Sequence, residues 1–203
     1  MEAIVEILGQ ADLSLAGWAL LLLTVIGLPI EAELGLRFVK PRLVAGRPNM
    51  RLYAYSYSII SLWIVALAVL ALGIFGQFEW AEIGFLFALD TPMLITCGIC
   101  AVIIGLLGLQ LYKIHTDQEM REKYREAIAA HDSISYFLPQ TRTEYRVFAL
   151  LGFTAGITEE IIFRGFLIWA LAMFMPEWTA AVLSLLLFIF MHRYQGVGGM
   201  VQV

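Results

Sequence analysis

Charge is what this chain has least of. Asp, Glu, Lys and Arg make up 15% of its 203 residues, where a soluble domain carries about a quarter. The net charge is only −4, far from the basic footprint that nucleic-acid binding requires, so no nucleic-acid partner is expected. Cysteine is scarce as well. Cys97 and Cys100 are the only two, too few for a disulfide framework. Their C-x-x-C spacing falls inside an apolar run, 93–112, where both are expected to be buried packing residues rather than redox or metal groups. No Lys or Arg precedes the first apolar run, and the amino terminus holds Glu2, Glu6 and Asp12 instead. That is the wrong charge for a cleaved signal peptide, so the run is expected to be retained. Internal repeats and low-complexity tracts are absent.

Apolar residues are what the chain has in abundance. They make up 61% of it, and the mean hydropathy is +0.82. Hydrocarbon about 30 Å thick takes roughly 20 apolar residues in a helix. The runs 13–30 (extendable to 38), 52–75, 93–112 and 147–175 qualify, and a further one begins at 178. The expectation is an all-α, polytopic transmembrane helical bundle of about five spans, with the lipid bilayer as its first partner.

Loop charge sets an orientation. Arg37, Lys40, Arg42, Arg47 and Arg51 crowd the first loop, and the next, 76–92, holds Glu79, Glu82 and Asp90 without a base. The third, 113–146, again carries Lys and Arg in number. Basic loops stay cytoplasmic, which predicts a multi-pass protein of the cell membrane with its amino terminus outside. Within the third loop, Thr116-Asp-Gln-Glu119 has the spacing of a capping box, and Glu119 and Lys123 form an i,i+4 pair. A helix over about 117–130 is expected there, as a solvated surface helix or as a lid. His115 and His131 read as ordinary surface histidines.

Against this apolar background stands "TEEIIFR", residues 158–164. An unpaired charge in lipid costs at least ~2.5 kcal/mol, so ionisable residues within a span are functional candidates. Glu160 and Arg164 are i,i+4 neighbours able to pair along one face. Glu159 points about 100° away from Glu160 and is left to face another helix. Pro176-Glu177 marks the turn between the last two spans. Glu159 lies seventeen residues before Pro176 and His192 sixteen after it, about 25 and 24 Å along the two helices at ~1.5 Å per residue. The hairpin therefore sets Glu159 level with His192, and likewise Arg164 level with Phe188, all in the cytoplasmic half. Span four is long for one crossing, so 144–152 is expected to lie along the inner interface.

These residue types suit hydrolysis. A carboxylate held away from bulk water can take a proton from a water molecule near neutral pH. A histidine beside it can hold that water, donate to a developing oxyanion or protonate the leaving amine. A zinc site is disfavoured, because H-E-x-x-H is absent and one Glu with one His are too few ligands. Elsewhere, Gly152-x-x-x-Gly156 reads as close helix packing. Glu31 and Glu33 read as interfacial, with Glu33 pairing Arg37; a wall of the reaction chamber is the sharper alternative.

The two stretches also form a recognisable pattern. Glu159-Glu160-Ile-Ile-Phe-Arg164 reads E-E-x-x-x-R and Phe188-Ile-Phe-Met-His192 reads F-x-x-x-H. This resembles the first two motifs of the CAAX-protease and bacteriocin-processing family, the type II CAAX prenyl endopeptidases, as does the wider stretch "LPQTRTEYRVFALLGFTAGITEEIIFRGFL". The resemblance covers about 138–203. It divides the chain into 1–137, amino-terminal spans with the cytoplasmic loop helix, and 138–203, a catalytic segment. It implies an intramembrane, glutamate-dependent endopeptidase acting on a membrane-associated, in some relatives prenylated, protein or peptide. Glu159 would activate water with His192, Glu160 and Arg164 would support the site, and Phe188 would form its apolar, substrate-facing wall. Older family names include a metalloprotease; no cofactor is assigned from the sequence, and a divalent metal enters through that naming alone. The family's third motif, a later His-x-x-x-Asn, has no counterpart after His192, and the segment is expected to be truncated before it. The alternative is a catalytically inactive membrane scaffold holding a hydrophobic or lipidated peptide. A transporter component using Glu159 as a proton site is a further option.

Overall fold

Ser14 begins the first helix: its extended backbone lets the side-chain oxygen accept from the Gly17 N–H, satisfying one of the free donors of a helix start. The computed structural model describes residues 12–85, 90–129 and 135–195. Every regular element among them is helical. They fall into two units, one of 1–85 with 136–203 and one of 86–135.

In the first unit, helix α1 (Leu15–Val44) and helix α2 (Met50–Ile74) are long and apolar enough to cross a membrane. Helix α1 contains two π-helical turns, Leu23–Gly27 and Gly35–Val39. Within the first, Thr24 Oγ1 donates back to the Leu20 carbonyl at 2.9 Å, a bond that bends helices and competes with the normal ladder. The turn into α2 uses Gly46 and Asn49 in left-handed backbone, at φ 64° and 59°, a region open to glycine and tolerated by asparagine.

After α2 the chain turns at Gly76 and folds back on the bundle. Gln77 holds it to the start of α1, accepting from the Ser14 N–H and donating to the Asp12 carbonyl, each at 2.8 Å. Phe78 and Ile83 from this loop enter the core beside Val65, Val69, Ile162, Phe166 and Leu167.

The second unit is a helical pair, α3 (Thr91–Thr116) and α4 (Gln118–Ala129). Helix α3 is the third helix of spanning length and hydropathy. The expected helix after Thr116 is present with its Glu119–Lys123 pair at 2.8 Å, but its cap differs from expectation. Asp117 Oδ1 accepts from the Glu119 N–H at 2.9 Å, while Thr116 Oγ1 turns back to the Tyr112 carbonyl. Thr116 is the last residue of α3 and so is not free to cap α4. Cys97 and Cys100 are free thiols and exposed, not buried packing residues. Helix α3 has no buried residue. His131 lies outside the described residues.

The capping box that the structure does contain lies further on. Thr141 Oγ1 accepts from the Glu144 N–H at 3.2 Å, and Glu144 Oε2 returns to the Thr141 N–H at 3.1 Å and the Gln140 N–H at 2.7 Å. This starts helix α5, which spans 142–172 as Arg142–Glu159, a π-helical stretch Glu160–Leu167, and Ile168–Ala172. Tyr55 of α2 packs edge-on to Phe148 of α5. Helix α6 (Glu177–Met191) returns alongside and ends in the 3-10 turn His192–Gln195. It has 15 residues, about 22 Å at ~1.5 Å each, less than the hydrocarbon thickness on its own.

Candidate active site

The site is built where α5 changes its winding. Thr158, fully buried, donates to the Thr154 carbonyl at 2.8 Å, and one residue past Glu159 the helix passes into eight residues of π-helix. Such i→i+5 stretches are rare and recur at functional sites. The wider turn directs Ile162, Phe163, Phe166 and Leu167 into the core. Across from it, Ser184 of α6, also buried, donates to the Phe163 carbonyl at 2.7 Å. This bond ties the two helices together within the charged cluster, between Glu160 and Arg164.

Glu159 and Glu160 diverge as their helical offset requires. The Glu159 side chain keeps 21% of its exposure and faces α6, where His192 keeps 12%. Glu160 and Arg164 remain 61% and 39% exposed. Glu159 Oε1 lies 4.0 Å from His192 Nε2. His192 Nδ1 is 2.8 Å from the Phe188 carbonyl; a carbonyl only accepts, so Nδ1 carries the proton. In the neutral ring, Nε2 is then an acceptor turned toward the carboxylate. Two acceptors at that separation can share one water about 2.8 Å from each, at an angle of roughly 90°.

Arg164 completes a stacked set. Its guanidinium sits 4.0 Å above the Phe188 ring, and the Phe188 and His192 ring centres are 4.4 Å apart. Phe163 meets the same phenyl edge-on at 5.3 Å. The Arg164–Glu160 pair, at 3.5 Å, is loose. Phe188 is itself buried, with the guanidinium over its ring and the imidazole close by.

A cleft of about 280 Å³ opens on the Glu160 side, bounded by Ile83, Gly84 and Phe85 of the folded-back loop and by Glu160, Arg164 and Gly165. A neighbouring cavity of about 380 Å³ continues past Arg164 to Glu177 and Trp178. Glu159, Phe188 and His192 line neither. Gly165 is needed at this contact: a Cβ there would stand 3.1 Å from the Ile83 carbonyl oxygen.

Two sequence expectations about packing do not hold. Gly152 and Gly156 have nothing within 4 Å of a notional Cβ among the described residues, so the small-residue stripe is not a helix contact. Glu33 pairs with Arg193 rather than Arg37; Arg37 instead lies over the Phe38 ring at 5.7 Å. Glu31 accepts from Ser61 Oγ of α2 at 2.8 Å.

Among the described residues no three His, Cys, Asp or Glu side chains come together.

Residues 141–203 match the model of a peptidase family described as type II CAAX prenyl endopeptidase Rce1-like. The match begins at the Thr141 cap and includes both site motifs. Its family description implies a protease and thus a peptide or protein substrate, and the apolar helices of spanning length agree with a membrane location. No curated protein and no solved structure matches the chain.

Proposed function

We propose that this chain is an intramembrane endopeptidase that uses Glu159 as general base, with His192, to hydrolyse a peptide bond of a membrane-associated protein or peptide. The observation that carries the reading is the 4.0 Å approach of Glu159 Oε1 to His192 Nε2, with the Nδ1 proton committed to Phe188. A water held there donates one proton to each acceptor, which leaves its oxygen lone pairs free to attack a carbonyl carbon. As the C–O bond forms, Glu159 takes the water proton, and it returns that proton to the amide nitrogen as the C–N bond breaks. His192 holds the water in line. Glu160 and Arg164 flank the pair, and Phe188 fixes the height of both the guanidinium and the imidazole.

In this proposal the protein is a multi-pass protein of the cell membrane. Its amino terminus lies outside and its site lies in the cytoplasmic half. The family description points to prenylated chains as the substrate class. Reconstitution in liposomes with matched prenylated and unprenylated peptides tests this, with products read by mass spectrometry. Cleavage is expected, with the prenylated peptide preferred. Binding of the lipidated peptide without cleavage would support an inactive scaffold instead.

A further inference from the structure

Helix α6 stops one residue short of its histidine. Met191 is its last helical residue, and His192 is the cap, with φ −86° and ψ 7°. The regular hydrogen-bond ladder that fixes side-chain direction within a helix therefore ends at His192. Residues 192–195 form a short 3-10 turn, a geometry with weaker hydrogen bonds than an α-helix. The Phe188 carbonyl holds one edge of the imidazole through Nδ1, and the placement of the turn that carries the ring is left to the groups packed on it.

Two arms reach this turn from elsewhere in the same unit. Arg193 is tied to α1, where its Nη2 donates to Glu33 Oε2, and is also held by α6 itself: its Nη1 donates to the Phe190 carbonyl at 3.3 Å and its guanidinium lies 4.3 Å over the Phe190 ring. On the other side of His192, the Tyr194 ring lies 5.9 Å from the imidazole and 6.1 Å from Phe137. Phe137 is anchored in turn, its carbonyl accepting from Tyr55 of α2 at 2.5 Å. The Glu33–Arg193 bond is directional and charge-assisted, and it joins the turn to α1 across 160 positions of sequence.

We infer that Glu33 is a positioning residue: through Arg193 it holds the turn that aims His192 Nε2 at Glu159. This rests on the hydrolytic reading above for its kinetic consequence, but the placement of the imidazole can be tested without it. Glu33 lies outside the matched stretch 141–203. The amino-terminal helix thus contributes to the site as more than a wall.

The experiment compares wild type, Glu33→Gln, Glu33→Asp and the charge-swapped pair Glu33→Arg with Arg193→Glu, all as the full chain in liposomes. Two readouts are taken, peptide cleavage and the 15N signals of the imidazoles. The chain has three histidines, and His192→Gln identifies the signal of interest. Glu33→Gln is expected to lower kcat about 10-fold or more with KM within about twofold, as misplacement of a reacting group does. Its His192 signals should lose the single-tautomer pattern with Nδ1 protonated. The charge-swapped pair should restore both. Unchanged tautomer signals in Glu33→Gln would overturn the inference, whatever the state of the cleavage assay. A loss of kcat that the swap fails to restore, and that merely follows a lowered Tm, would overturn it too. If wild type cleaves nothing, the hydrolytic reading fails and the tautomer readout alone decides.

Discussion

Glu159 and His192 are thirty-three positions apart in the chain and 4.0 Å apart in space. Nothing local brings them together. The meeting requires α5 and α6 to return on each other at Pro176, Ser184 to lock them at Phe163, and Phe188 to hold the imidazole through its carbonyl. A carboxylate and an imidazole nitrogen at that spacing, both mostly covered by protein, form a site for one water rather than a direct hydrogen bond.

The Arg164–Phe188 stack should matter more to the fold than the Glu160–Arg164 pair. A partly desolvated cation over an aromatic ring contributes on the order of 1–2 kcal/mol. The loose, half-exposed ion pair contributes at most about 1 kcal/mol. Thermal unfolding in detergent should rank Arg164→Gln as the more damaging and Glu160→Gln as nearly silent. The reverse order would mean that the ion pair carries the cluster.

Two glycines in α5 should respond in opposite directions. Gly165→Ala places a methyl 3.1 Å from the Ile83 carbonyl oxygen, and overpacking of this kind costs about 1–3 kcal/mol. Gly152→Ala meets open space and should gain up to about 1 kcal/mol of helix propensity. Equal effects on Tm would contradict the close approach of the loop to the π-helical stretch.

The capping box at the head of α5 should be measurable in the same way. Thr141→Ala removes the acceptor for the Glu144 N–H and is expected to cost about 1 kcal/mol. Glu144→Ala leaves the Gln140 and Thr141 N–H groups without their carboxylate and should cost about 1–3 kcal/mol. Thr116→Ala, at the site the sequence pattern favoured, should change little, since Asp117 caps α4.

The depth count from Pro176 placed the Glu159–His192 and Arg164–Phe188 contacts from sequence, because a hairpin of two helices needs only a turn and a length. The winding of α5 was not legible. An E-I-I-F-R-G-F-L stretch carries no signature that separates π from α, and the count assumed α-helix throughout. The relationships survived because both helices are measured from the same turn and long side chains absorb an ångström or two. Partner choice among charges was legible only along one helix. Glu119–Lys123 is local, whereas Glu33 had a local option in Arg37 and took Arg193, 160 positions away. The folded-back loop was invisible for a related reason. Phe78 and Ile83 sit among acidic and glycine residues that read as an ordinary connection, and only tertiary contacts, Phe78 with Trp169 and Ile83 with Gly165, make them core.

The most direct measurement is the turnover of Glu159→Gln against wild type on a peptide that wild type cleaves in liposomes, with Glu160→Gln alongside as the neighbouring carboxylate. The glutamine keeps the size of the side chain and its oxygen but cannot take a proton. The expected result is a fall in kcat of about 10²–10⁴-fold for Glu159→Gln, as loss of a general base produces, with KM little changed and a far smaller effect for Glu160→Gln. Turnover by Glu159→Gln at the wild-type rate would contradict the assignment of Glu159 as the base that activates the water.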